Sequence, residues 1–223
     1  EDISGPDGKP DGIIDTYDRT NIGSPMPKFT FGMTNTFKYQ NLDLSIFING
    51  SYGNKIFNYM DMNLSGMTSI WNNQLKKVTE RARLEPIDGN KAYPTEINGV
   101  TVNNWFEDVT NVEVTNPRAT IPRAIANDPN DNNRISDRYI EDGSYLRIKN
   151  ITLGYTIPTH LTRKLLIENI RVYTNIQNLY TFTKYTGYDP EIGASTSNAN
   201  VYGLDNGRYP SPQNYTFGLN ITF

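Results

Sequence analysis

The feature that most constrains this chain is strict two-residue alternation. In the closing stretch "NYTFGLNITF", Tyr215, Phe217, Leu219, Ile221 and Phe223 are apolar or aromatic, while Asn214, Thr216, Gly218, Asn220 and Thr222 between them are small or polar. Successive side chains of a strand point to opposite faces, so this stretch predicts a β-strand with one apolar and one polar side. The same rhythm places Phe29, Phe31, Met33, Phe37 and Tyr39 on one side of "KFTFGMTNTFKY", and Leu42, Leu44, Ile46, Ile48 and Tyr52 on one side of "LDLSIFINGSY". A tight turn at Gln40-Asn41 joins these two as a hairpin. In "GSYLRIKNITLGYTIP" Ile151, Leu153, Tyr155 and Ile157 alternate, but Leu146 and Ile148 fall in the opposite phase, a slip that a β-bulge or emergence from the apolar band would account for. With "RVYTNIQNLYTFTKY" there are five predicted strands, at approximately 28–39, 42–53, 144–157, 170–184 and 213–223.

Their connections follow a rhythm of their own. Long polar stretches at about 1–27, 54–142 and 185–211 alternate with short turns at 40–41 and 158–169. The longest contains a predicted short helix in "MTSIWNNQLKKVTERARL" (67–84) and a Gly-centred hairpin candidate in "EINGVTV" (96–102). Alternating long and short connections between amphipathic strands are the signature of transmembrane barrels, which have long external loops and short periplasmic turns. Setting the last residue on the periplasmic side puts every long loop outside. A soluble β-sandwich alternates equally well, but its turns recur about every 8–12 residues, which the 54–142 interruption breaks. Hydrophobic residues are 36% of the chain, and no apolar run is long enough for a membrane helix, a test that leaves a barrel wall untouched.

Composition removes other classes. A net charge of -3 leaves no basic footprint for nucleic acid, and the absence of cysteine removes disulfides and thiol chemistry. His160 is the only histidine, which excludes multi-His metal sites, and it sits in a short connection just after Pro158, which argues against a Ser-His-Asp arrangement, so no catalytic residue is assigned and the chain reads as a non-enzyme. Carboxylate neighbours Glu107-Asp108 and Glu141-Asp142 read as solvated loop. The N-x-T tripeptides at Asn150, Asn214 and Asn220 follow from polar alternation. One stretch has ligand spacing: on a calcium-loop template "DGKPDGIIDTYD" sets Asp7, Asp11, Asp15 and Asp18 at positions 1, 5, 9 and 12. Lys9 at position 3 opposes a cation and Asp18 is shorter than the usual Glu, so turns stitched by Asp side chains are the favoured reading and no cofactor is assigned beyond that calcium candidate. Trp71 and Trp105 in the longest loop are the candidates for stacking on a substrate, against the alternative of packing within the loop.

Taken in order, "DGIIDTYDRTNIGSPMPKFTFG", "LSIFINGSYGNKIFN", "RISDRYIEDGSYLRIKNITLGYTIP", "RVYTNIQNLYTFTKYTGYDPEIG" and "YPSPQNYTFGLNITF" resemble the C-terminal part of SusC/RagA-type TonB-dependent outer-membrane transporters of Bacteroidetes; the middle, about 60–125, is the least similar. The resemblance implies an all-β fold, the last five or so strands of a 22-stranded antiparallel barrel with a plugged lumen. It further implies an importer of oligosaccharides or peptides in the outer membrane, with a SusD-like lid lipoprotein, TonB acting through a missing upstream part, and the rest of barrel and plug as partners. Five strands cannot close a barrel, and an open edge in lipid leaves backbone groups unpaired. On this reading Phe29, Phe31, Met33, Leu44, Ile46, Ile48, Ile151 and Leu153, with Phe217, Leu219 and Ile221, face lipid. Thr30, Thr34, Ser45, Thr152 and Asn220 face the lumen, and Tyr215, Phe217, Leu219, Ile221 and Phe223 form the barrel-assembly signal. Strand-end tyrosines such as Tyr39, Tyr52, Tyr155 and Tyr180 form interfacial girdles. The alternative is a soluble β-rich carbohydrate-binding module from a larger secreted protein.

Overall fold

A computed structural model describes residues 2–69, 71–91, 94–97, 99–103, 110–124, 128, 131–163, 166–193 and 201–223. In chain order the strands are β1 (Phe29–Tyr39), β2 (Leu42–Tyr52), β3 (Lys55–Asn58), β4 (Leu84–Pro86), β5 (Pro94–Ile97) and β6 (Val100–Asn103). These are followed by β7 (Val112–Val114), β8 (Ile140–Asp142), β9 (Tyr145–Thr156), β10 (Asn169–Thr183), β11 (Leu204–Asp205) and β12 (Asn214–Thr222). Helix α1 covers Tyr59–Ser65 and the single turn α2 covers Thr159–Thr162. The chain divides into two compact units, one formed by residues up to Asn58 together with Ser136–Phe223, the other by Tyr59–Ile135.

The first unit is built on a five-stranded antiparallel sheet in the order β1-β2-β9-β10-β12. Its members are the five alternating segments of the sequence. The β1–β2 turn is closed by Gln40 with φ 51°, leaving Tyr39 opposite Leu42. The phase slip in β9 has its cause in a bulge. Against β2 the register runs Phe47 to Asn150 and then Ile48 to Ile148, so Lys149 is the extra residue and Ile148 and Leu146 return to the side of Ile151. On the other flank Gln177 pairs with Asn150 and Tyr180 with Ile148, and Asn178 takes the left-handed conformation at φ 52°, which asparagine tolerates better than most residues. The amide of Asn178 donates to the Pro212 carbonyl at 2.9 Å and that of Gln213 to the Leu179 carbonyl at 2.8 Å, so the irregularity is held by the segment leading into β12.

A small sheet, β11-β3-β8, stands at the far end of β2 and β9, with β11 parallel to β3. Ile56, Tyr139 and Tyr185 are buried in this unit. Gly143 is required there, since a Cβ would come within 2.7 Å of the Ile56 side chain.

In the second unit β4 pairs with β7, and β5 with β6 through Gly99 at φ 79°, the hairpin expected from "EINGVTV". Among the described residues of 67–84 the expected helix is not formed. Helix α1 lies earlier and stops before Met67, which sits at φ 55°, and of the later stretch only Lys76–Glu80 makes a 3-10 turn. Polar side chains there divert the backbone: the Trp71 N–H donates to Ser69 Oγ at 3.3 Å instead of entering a helical ladder. Asn116 ties this unit together, accepting from the Arg83 N–H at 2.7 Å and donating to the Arg81 carbonyl at 2.9 Å.

Candidate functional site

The five-stranded sheet carries the candidate site, and pairing register defines its two sides. Residues opposite each other across an antiparallel ladder share a side. One side is built of rows: Tyr39, Leu42, Tyr155, Val172 and Leu219; then Phe37, Leu44, Leu153, Thr174 and Phe217; then Asn35, Ile46, Ile151, Ile176 and Tyr215. Beyond the bulge follow Met33, Ile48, Ile148 and Tyr180, then Phe31, Gly50, Leu146 and Phe182, then Phe29 and Tyr52. Nearly every position is apolar or aromatic. Gly50 makes room for the Phe31 ring, whose edge lies 2.6 Å from where a Cβ would stand.

This apolar side is uncovered. Leu153 and Tyr155 belong to the central strand, where a second layer would bury them, yet they are 40% and 46% exposed, and Phe217 is 81% exposed. Among the described residues the buried apolar side chains are Ile56, Val78, Tyr139 and Tyr185, none of them in the five-stranded sheet. A continuous bare apolar surface of this kind marks an interaction with an apolar partner. Aromatic rings gather at one end, with Phe29 stacked on Tyr52 at 5.4 Å and Tyr180 edge-on to Phe182 at 4.7 Å; Tyr39 and Tyr155 stand at the other.

The opposite side is polar and hydrogen-bonded across strands. Asn175 donates its amide to Asn150 Oδ1 at 2.7 Å and to Thr152 Oγ1 at 2.8 Å. Nearer the chain's end, Asp43 and Arg171 form an ion pair at 2.6 Å. The pair reaches from β2 to β10 over Gly154, whose missing side chain leaves the space the guanidinium fills. Arg171 also lies 5.3 Å from the Tyr173 ring centroid, and Tyr173 in turn covers Gly218.

Arg147, in the row of Asn49 and Thr181 on this polar side, is 3% exposed. It donates to Thr181 Oγ1 at 2.7 Å, to Asp189 at 2.5 Å and to Glu191 at 2.7 Å, and Lys149 donates to Glu191 at 2.7 Å. Asp189, 7% exposed, also accepts from the backbone N–H groups of Glu191 and Ser211 at 2.9 and 3.0 Å. Burial alone would raise the Asp189 pKa, but the hydrogen bonds from Arg147, Ser211 and Glu191 outweigh it and hold the carboxyl below its ordinary value. This cluster went unassigned in the sequence, although Arg147 and Lys149, like Asp189 and Glu191, are two apart, the spacing of strand neighbours.

The residues singled out from sequence fall in several places. Trp71 is 88% exposed in the second unit, and Trp105 lies outside the described residues. Asp7, Asp11 and Asp15 each accept from a backbone N–H two residues on, at 3.3, 3.0 and 2.8 Å. Asp18 accepts from Ile3, Ser4 and Asp15 at 2.6, 3.1 and 2.8 Å, and these backbone bonds, that from Asp15 foremost, lower its pKa. Among the described residues no three such groups come together in a way that could hold a metal ion. Tyr215, Phe217, Leu219 and Ile221 share the apolar side of β12. Among the described residues no helix is long and apolar enough to cross a membrane, which says nothing about crossing by strands.

These observations define the class as an all-β chain built on an antiparallel sheet that is bare and apolar on one side and hydrogen-bonded and polar on the other, and comparison with known proteins narrows it. No protein-family model matches the chain. It is 34% identical to TonB-dependent receptor P3 of Formosa agariphila over 217 residues, covering 95% of this chain and 18% of that protein. To TonB-dependent receptor SusC of Bacteroides thetaiotaomicron it is 24% identical over 219 residues, covering 95% of this chain and 17% of that protein. The RagAB peptide importer in its "closed-closed" state has the same fold, with a TM-score of 0.62 at 19% identity over 98% of this chain and 20% of the solved one. The chain is therefore related to TonB-dependent receptors of the SusC/RagA type, and spans less than a fifth of the length of these curated relatives.

Proposed function

We propose that the chain forms the last five strands of a plugged 22-stranded outer-membrane barrel, part of a TonB-dependent importer working with a SusD-like lid lipoprotein. The observation that carries this reading is the bare apolar side of the sheet and its dimension. From Leu42 to Tyr52 is ten steps of about 3.4 Å, or about 34 Å, which at a strand tilt of about 40° projects to about 26 Å. That matches the roughly 25 Å lipid-facing band of such barrels, and the aromatic rings at its two ends match the girdles that flank the band. A soluble carbohydrate-binding module would need a second layer over Leu153 and Tyr155.

The polar side then lines the water-filled interior, and both sheet edges, β1 and β12, continue into neighbouring wall strands. Tyr215, Phe217, Leu219, Ile221 and Phe223 serve as the assembly signal at a periplasmic C-terminus, and the connection between β2 and β9 lies at the outer mouth, where it meets the lid and substrate. The substrate class is oligosaccharide or peptide; relatedness to a peptide importer supports the second of these.

The test is uptake by cells carrying the full-length protein, screened over defined oligosaccharides and peptides with and without TonB. TonB-dependent uptake of one class, by a protein found in the outer membrane, is expected. A full-length protein that stays in buffer without detergent overturns the reading.

A further inference from the structure

Four charged groups meet on the sheet's polar side, beyond the pairing of its own strands. Arg147 and Lys149 on β9 hold Asp189 and Glu191 of the β10–β12 connection, so that connection turns back across the polar side instead of leaving it. The anchoring continues on either side. Tyr185 donates its hydroxyl to the buried Asp205 at 2.5 Å, Thr186 donates its N–H and hydroxyl to Glu141, each at 2.8 Å, and Asp189 accepts from the Ser211 N–H where the chain returns toward β12. Tyr185–Ile192 is thus a strap fixed at both ends.

Buried ion clusters are an expensive way to gain stability, since apolar groups of equal volume do as well or better; their best-attested use is to fix one arrangement among several. This one is self-neutral, two cations against two carboxylates, with Arg147 and Asp189 buried and Lys149 and Glu191 partly open to water, so a separated strap would leave no charge stranded in an apolar interior. The ion pairs therefore act chiefly to fix the docked arrangement of the connection.

We propose that Arg147 is a positioning residue of the conduit, holding Tyr185–Ile192 as a strap that sets how far the polar side is open to water at that level. This rests on the reading of the polar side as lumen. Ser45 lies on the same side in the row of Thr152, beyond the row of Phe47 and Asn150 from Arg147, and the chain has no cysteine of its own. In full-length protein in cells, Ser45→Cys is labelled from outside by a membrane-impermeant sulfonated maleimide, with Ile46→Cys as comparator. Hydrogen exchange is followed in parallel on the purified protein.

Asp189→Asn and Glu191→Gln keep shape while removing charge. They are expected to speed labelling at Ser45→Cys about tenfold and amide exchange over 185–192 by roughly a hundredfold, leaving the β9–β10 ladder unchanged. Arg147→Ala is expected to speed labelling similarly, and Arg147→Lys, which retains the charge, to keep it slower than Arg147→Ala. Unchanged exchange in the strap shows that the quartet does not hold it, and faster exchange with unchanged labelling shows that the strap does not narrow the conduit; either overturns the proposal. Labelling of Ile46→Cys but not Ser45→Cys in every background overturns instead the assignment of the polar side to the lumen.

Discussion

Ile46 and Ser45 are adjacent in β2 and face opposite ways. Ile46 stands in the middle row of the apolar side, between Asn35 and Ile151, and Ser45 in the polar row with Thr36 and Thr152. Ile46→Lys therefore places a cation near the mid-height of the lipid band, which costs about 2–4 kcal/mol in barrels of this kind. At about 1.4 kcal/mol per factor of ten, that is roughly a thirtyfold to nearly thousandfold change in the folding equilibrium. Ser45→Lys puts the same charge into water beside neutral hydroxyls and is expected to change stability little. Tyr52→Lys, at the end of the apolar side, is expected to cost about 0–1 kcal/mol, because the penalty falls toward the interface. The assay is urea-dependent folding of the full-length protein into lipid vesicles, read by its heat-modifiable electrophoretic mobility. Equal penalties at Ile46 and Ser45, or no fall-off between Ile46 and Tyr52, would refute the face assignment.

Further expectations follow from particular contacts. Gly154→Ala drives a methyl into the Arg171 guanidinium and separates it from Asp43; since both partners are partly exposed, the loss expected is about 1 kcal/mol, checked by the same urea titration. Asp189 has a depressed pKa in the folded protein, so its stabilisation of the strap is complete above the ordinary carboxylate value near 3.8 and is lost as pH falls through the folded value. Exchange over 185–192 should rise in that acid window in the wild type, and Asp189→Asn should remove the step. Deleting residues 85–120, within the second compact unit, should leave the sheet assembled while weakening lid association or uptake; co-purification of the lipoprotein and an uptake assay check this. Removing Phe223 should lower the amount of folded protein reaching the outer membrane, measured by heat-modifiability of the membrane fraction.

The sheet was legible because a period of two is a local signal, and lipid or core demands it at every step. Even the phase break at Leu146 and Ile148 could be read as a bulge, since a single extra residue, Lys149, restores the side. The second unit was less legible. Residues 67–84 contain enough Gln, Lys, Arg and Leu to suggest a helix, but the Ser69 hydroxyl accepts from the Trp71 N–H, the Gln74 amide donates to the Asn72 carbonyl, and Met67 adopts a positive φ, local choices that composition averages away. The Arg147 cluster depends on residues more than 40 positions apart, Arg147 with Asp189 and Glu191, brought together by the return of a loop, and no local periodicity encodes that meeting. Phe47 breaks the polar rule for a similar reason: its ring lies 3.3 Å from the Cβ site of Gly32, filling space that a glycine on the neighbouring strand leaves.

The central claim is that the apolar side meets lipid and the polar side meets water. Nitroxide side chains placed one at a time at residues 151–156 of β9, in the full-length protein in bilayers, report it through collisions with oxygen, which concentrates in lipid, and with a water-soluble nickel chelate. Oxygen should dominate at 151, 153 and 155 and the chelate at 152, 154 and 156, the two profiles running in opposite phase with a period of two. Low accessibility to both reagents at 151, 153 and 155 would mean that Ile151, Leu153 and Tyr155 are covered by protein, and would contradict the account.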